Sequence, residues 1–96
     1  VYLDGQNKII ATEVVATGTI NTAAIYPREI IKRVLEIHGV CIIVSHLHPS
    51  GALSPSNSDR AVTKKLQTAL SSIDVDLLDH IIIGDGFFSF SDQGLL

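Results

Sequence analysis

Val40-Cys41-Ile42-Ile43-Val44-Ser45-His46-Leu47-His48 is the stretch whose reading decides the fold. The run Val40 to Ser45 is apolar almost throughout, follows a glycine, and reads as a central strand buried on both faces. Two histidines follow at once. Residues i and i+2 of extended chain point the same way, so His46 and His48 present their imidazoles side by side at a strand end. Strand ends are where α/β domains commonly place their sites.

Helical patterns flank this strand. Before it, Pro27 opens a helix reaching about His38, because a proline at the first helical position lacks only an N–H that would have no partner there. Ile30, Ile31, Val34, Leu35 and His38 recur at helical spacing, and Gly39 supplies the stop. After it, Pro49, Gly51 and Pro55 break the chain into a loop. Ser56 to about Ser72 then forms a second helix with Val62, Leu66, Ala69, Leu70 and Ile73 as its core face. Further out, Val1 to Asp4 and Lys8 to Ala16 are β-rich runs joined through Gly5-Gln6-Asn7, which reads as a hairpin. The second run is apolar on both faces apart from Glu13 and is expected to be an interior strand. Gly18 to Ala23 reads as a short strand or turn. Val75 to Ile83 is a strand, and Gly84-Asp85-Gly86 turns it into Phe87 to Phe90. Hairpins require antiparallel pairs and strand–helix–strand connections permit parallel ones. The expectation is an α/β fold with a mixed sheet flanked by helices.

The 96 residues are one domain's worth of chain, and 46% hydrophobic with 18% charged residues excludes a disordered segment. A net charge of −3 argues against a generic nucleic-acid-binding surface. Arg60, Lys64 and Lys65 on the second helix, and Lys32 and Arg33 on the first, read as solvated faces. No run reaches the length of a membrane span. The single cysteine, Cys41, cannot form an internal disulfide, reads as a small buried hydrophobe, and makes a reducing cytoplasm the default expectation. The chain has no methionine and starts inside an apparent strand, so residues 1–96 read as one domain lacking its native start. An edge left open there would be available to a second copy.

His46, His48 and Asp59, the last in the first turn of the second helix, make a three-ligand zinc set. Such a set leaves a fourth tetrahedral position for water, as in catalytic sites. Each residue alone has a plainer explanation. Loop histidines are common, Asp59 suits a helix N-terminus, and Ser56 with Asp59 resembles a capping box. Their conjunction at a strand end is what points to a metal. Glu13 is a candidate general base, since a carboxylate beside a zinc-activated water can take its proton and return it to a leaving amine. Ser56 is a candidate donor to the oxyanion of a tetrahedral intermediate. His38 reads as a helix-end residue. His80, in an apolar strand, reads as a satisfied core histidine with a hydrogen bond to the site as the minority reading.

His46-x-His48, seven residues, Ser56, two residues and Asp59 resemble the JAMM (MPN) metalloprotease motif. The segments His48-Pro49-Ser50-Gly51, Gly18-Thr19-Ile20-Asn21, Pro27-Arg28-Glu29 and Leu77 to Gly84 resemble, more narrowly, the bacterial RadC family. The resemblance spans essentially the whole chain. It implies a cytidine-deaminase-like α/β/α sandwich, zinc (Zn2+) held by His46, His48 and Asp59, the upstream glutamate at Glu13 and the motif serine at Ser56. It implies a zinc-dependent metallopeptidase or isopeptidase acting on a peptide or protein. The alternative is a non-catalytic interaction or DNA-repair accessory module of the same family. Leu47 departs from the family pattern, where a polar residue is usual, and a polar contact near the site is expected to be lost. A zinc deaminase is disfavoured by the missing Pro-Cys-x-x-Cys element.

Overall fold

The computed structural model describes residues 1–13 and 27–96. The elements are β1 (Tyr2–Leu3), β2 (Ile9–Ala11), α1 (Pro27–Glu36), β3 (Cys41–Leu47), α2 (Asn57–Ser71), β4 (Asp76–Gly84) and β5 (Gly86–Ser89). Gly18 to Ala23 and the end of the expected second strand, Val14 to Ala16, lie outside the described residues.

Five strands form one mixed sheet in the order β2-β1-β3-β4-β5. β3 and β4 are parallel, joined across α2, and every other neighbouring pair is antiparallel. The apolar 40–45 run therefore lies at the centre of the sheet, as expected, and the strand continues through His46 to Leu47. Tyr2, Ile42 and Leu77 stand in register across β1, β3 and β4. All three are buried, and they share one core cluster with Ile30 and Val34 of α1 and Leu66 and Leu70 of α2.

Three expectations are corrected. Within the described residues β2 is an edge strand, not an interior one, and Ile9 is 67% exposed. Its backbone pairs only with β1 there, so its apolar alternation does not buy burial on both faces. Leu35 is 56% exposed, because Ile30 and Val34 form the buried stripe of α1 and Leu35 falls outside it. The left-handed residue that ends α1 is His38 (φ 57°), one position before the expected Gly39. The His38 N–H donates to the Leu35 carbonyl and the Gly39 N–H to that of Val34, the paired bonds of a Schellman motif. The first hairpin forms as expected, with Asp4 Oδ1 accepting from the N–H groups of Gln6 and Lys8 and with Asn7 left-handed.

One irregularity governs the site. From Ile42 opposite Leu77 the register jumps to Ile43 opposite Asp79, so Leu78 is an extra residue in β4. Such a β-bulge, uncommon between parallel strands, reverses which residues face which side of the sheet. Leu77 faces the helices before the bulge, and His80 and Ile82 are the buried residues after it.

Candidate metal centre

His46 is the penultimate residue of β3 and His48 follows the strand's end, on the same side of the pleat. The loop after them is pinned to β4. The His48 N–H donates to the Ile83 carbonyl, the Gly51 N–H to the His48 carbonyl, and the Asp85 N–H to the Gly51 carbonyl. Two glycines permit this approach. Gly51 is left-handed (φ 83°), and a Cβ on Gly84 would lie 2.6 Å from the Gly51 carbonyl oxygen. The loop then delivers the start of α2 back to the strand end.

Asp59 sits in the first turn of α2 and is 1% exposed. The capping-box reading holds: Asp59 N–H donates to Ser56 Oγ (3.0 Å), and Ser56 N–H donates to Asp59 Oδ2 (2.8 Å). The same carboxylate faces the histidines, with Oδ1 3.2 Å from His46 Nε2 and Oδ2 3.1 Å from His48 Nε2. The cap and the ligand reading thus coexist, because capping fixes the carboxylate where the imidazoles can meet it. Burial alone would raise the Asp59 carboxyl. The Ser56 hydrogen bonds and the two imidazoles outweigh it and hold the group below its ordinary value.

His46 Nε2 and His48 Nε2 are 2.9 Å apart. Zinc ligands bound at ~2.0–2.1 Å on a tetrahedron lie roughly 3.3 Å from one another, so these separations already approach those of a metal-bound set. His48 Nδ1 is 3.0 Å from the Ala52 carbonyl, which can only accept, so a ring that keeps this bond donates from Nδ1 and has Nε2 to offer a metal. The donor set fits a divalent metal: His46, His48 and Asp59 could hold the ion.

His80 belongs to this cluster. Its Nε2 lies 2.8 Å from His46 Nδ1, and its Nδ1 lies 2.5 Å from Thr63 Oγ1. Thr63 Oγ1 in turn lies 2.7 Å from the Asp59 carbonyl oxygen. The His80 ring is 4% exposed and stacks on Phe90, with centroids 4.6 Å apart. Burial, reinforced by His46, pushes its pKa down to about 4 against the pull of Asp59, so the ring is neutral at physiological pH. Burial also lowers His46, with Asp59 opposing. The minority reading of His80 is therefore the structural one. Thr63 had no place in the sequence reading, yet it was legible: Asp59, Thr63, Leu66 and Leu70 share the buried stripe of α2.

Glu13 and Ser56 differ in their placement. Ser56 is exposed at the head of α2, and its Oγ accepts from Asp59. No acceptor for its hydroxyl hydrogen is found among the described residues. Glu13 lies beyond the end of β2, and Arg33 of α1 holds both its oxygens at 2.6–3.0 Å. That guanidinium lowers the Glu13 carboxyl from its ordinary value. Among the described residues, no hydrogen bond joins Glu13 to His46, His48 or Asp59. Leu47 is on the opposite sheet face from the imidazoles and 63% exposed, so it does not line the metal position. Cys41 is buried and its thiol is pushed up by burial. No helix among the described residues is long and apolar enough to cross a membrane.

The family model described as RadC-like JAB domain matches residues 1–95. A UPF0758 protein of Photobacterium profundum is 52% identical over 99% of this chain and 43% of its own length. One from Pseudoalteromonas translucida is 46% identical over the same shares. One from Actinobacillus pleuropneumoniae is 50% identical over 96% of this chain and 42% of its own. The chain thus spans less than half the length of these relatives.

Proposed function

This chain belongs to the RadC-like JAB domain family, and from that premise we propose that it is a zinc-dependent hydrolase of peptide or isopeptide bonds. One observation carries the reading. Among the described residues, three protein ligand atoms, and not four, converge at the end of β3 beside an exposed serine. His46, His48 and Asp59 would hold the ion, and a zinc ion there would supply an activated water at neutral pH and polarise a carbonyl. Ser56 Oγ–H donates to the carbonyl oxygen of the scissile bond as negative charge develops on it. Glu13 takes a proton from the attacking water and returns it to the leaving nitrogen. To do so its carboxylate must exchange Arg33 for water, so substrate binding and release of the Glu13–Arg33 pair belong together. The substrate is a polypeptide and the compartment the cytoplasm; DNA is not a partner of this segment, given its net charge of −3.

A second reading has its own observation. With Glu13 held by Arg33, the domain is a metal-binding interaction module without turnover. The two separate in one experiment. Purified protein should carry about one zinc per chain, and the His46→Ala/His48→Ala variant none. Glu13→Gln should keep the metal and lose hydrolysis of an unbiased peptide library. Equal zinc in the wild type and the double variant would sink the site. A metal-loaded wild type that cleaves nothing in the library would leave the module.

A further inference from the structure

The hydrogen bonds behind His46 form a chain: Asp59 carbonyl, Thr63 Oγ1, His80 Nδ1, His80 Nε2, His46 Nδ1. Two proton arrangements keep both bonds to His80. In one, the Thr63 hydroxyl donates to the Asp59 carbonyl, His80 Nδ1–H donates to Thr63 Oγ1, and His46 Nδ1–H donates to His80 Nε2. His46 Nε2 is then bare. In the other, the two bonds to His80 are reversed: Thr63 donates to His80 Nδ1 and abandons the Asp59 carbonyl, His80 Nε2–H donates to His46 Nδ1, and a hydrogen sits on His46 Nε2, facing Asp59 Oδ1 3.2 Å away where a metal would bind. A neutral imidazole carries one N–H, so no mixed arrangement pairs every atom.

We propose that Thr63 and His80 are positioning residues that keep the His46 proton on Nδ1 and so present its Nε2 lone pair to the metal. The Thr63 hydroxyl lies 2.7 Å from a carbonyl that can only accept, a shorter contact than the 3.2 Å between His46 Nε2 and Asp59 Oδ1 that favours the second arrangement, and the balance selects the first. His80 cannot turn away to another partner. It is buried, stacked on Phe90, and placed on this face by the β4 bulge. The chain also starts on the backbone of one ligand, Asp59, and ends on the ring of another, His46. His48 needs no such help, because the Ala52 carbonyl fixes its proton directly. The proposal rests on the reading of His46, His48 and Asp59 as metal ligands.

The test is long-range 15N–1H NMR of the imidazoles in metal-free protein, with zinc affinity measured by calorimetry on the same samples. The wild type should show His46 and His48 both protonated on Nδ1. Thr63→Val removes the acceptor of His80 Nδ1–H. The His80 proton should then move to Nε2, and that of His46 to its own Nε2. Zinc affinity should fall by roughly 10- to 100-fold, the usual cost of losing a partner behind a metal-binding histidine. His80→Phe keeps the ring on Phe90 but offers no nitrogen, and should weaken zinc comparably. His80→Gln can still accept from His46 and donate to Thr63, and should restore most of the affinity. His48 should stay on Nδ1 throughout. A purely structural role would change stability and leave the His46 tautomer alone. His46 protonated on Nε2 in the metal-free wild type would overturn the proposal, as would an unchanged tautomer and affinity in Thr63→Val. Should His80→Phe fail to fold, Thr63→Val decides alone. A wild type with His46 on Nδ1 and no zinc binding would instead overturn the ligand reading and leave the hydrogen-bond chain standing.

Discussion

At Ser56 two roles meet on one oxygen. Its Oγ accepts the Asp59 N–H as a helix cap, and the proposed function asks its hydrogen to be donated to substrate. The roles separate because a carboxylate can accept but not donate. Ser56→Ala should lose both, lowering stability by about 1 kcal/mol and turnover as well. Ser56→Asp should keep the cap, and with it the stability measured by urea unfolding, yet still lose turnover. Full activity in Ser56→Asp would remove the serine from the chemistry. The capping box was readable from Ser56-x-x-Asp59 alone, because its geometry is local. The engagement of Glu13 by Arg33 was not readable, since twenty residues separate them and only the fold brings them together.

At the level of elements, the β4 bulge decides which side chains reach the site. Leu77 faces the core in the first register, and if Leu78 took a regular place in the alternation Asp79 and Ile81 would follow Leu77 inward. Deleting Leu78 should remove the bulge and leave Leu77, His80 and Ile82 in plain alternation on the same face, with His80 still opposite Val44. Zinc affinity should stay close to the wild-type value. Leu78→Thr changes only a partly exposed side chain and should shift stability by no more than about 0.5 kcal/mol. Loss of zinc binding by a folded deletion variant would show that the bulge itself, and not the register after it, positions the site. No sequence feature marks the bulge. Leu77-Leu78-Asp79-His80 reads equally well in either phase, and Ile81-Ile82-Ile83 fits both faces, so His80 could not be assigned a side. The central strand was legible for the opposite reason. An apolar run after a glycine and before a breaker loop has one economical placement, whatever its phase.

Across the whole molecule, buried neutral histidine makes stability depend on pH. Metal-free protein should be evenly stable above pH ~6.5, where His80 is neutral in both folded and unfolded chains. Its folded pKa is about 4, so between 6.5 and 4 the unfolded chain binds a proton that the folded one refuses. Stability should fall across that window, by on the order of 3 kcal/mol, and this component should level off below it. Urea unfolding at pH 7 and 4.5 measures the loss, and His80→Phe should reduce it. An equal loss in the variant would assign the acid sensitivity elsewhere. The mixed sheet and both helices were legible from periodicity and breakers. Exposure at the margins, as at Ile9 and Leu35, depended on neighbours that one sequence does not name.

The hydrogen-bond chain that links Thr63 to His80 also has a consequence for inheritance. Each residue satisfies a buried atom of the other, so losing the hydroxyl strands a ring N–H and losing the ring frees the hydroxyl from any duty toward the site. A lineage that replaces one gains little by keeping its companion. The two positions, seventeen apart in sequence, should therefore drift as a pair, while Leu47, lodged between the histidines yet on the far face, is free to vary by itself.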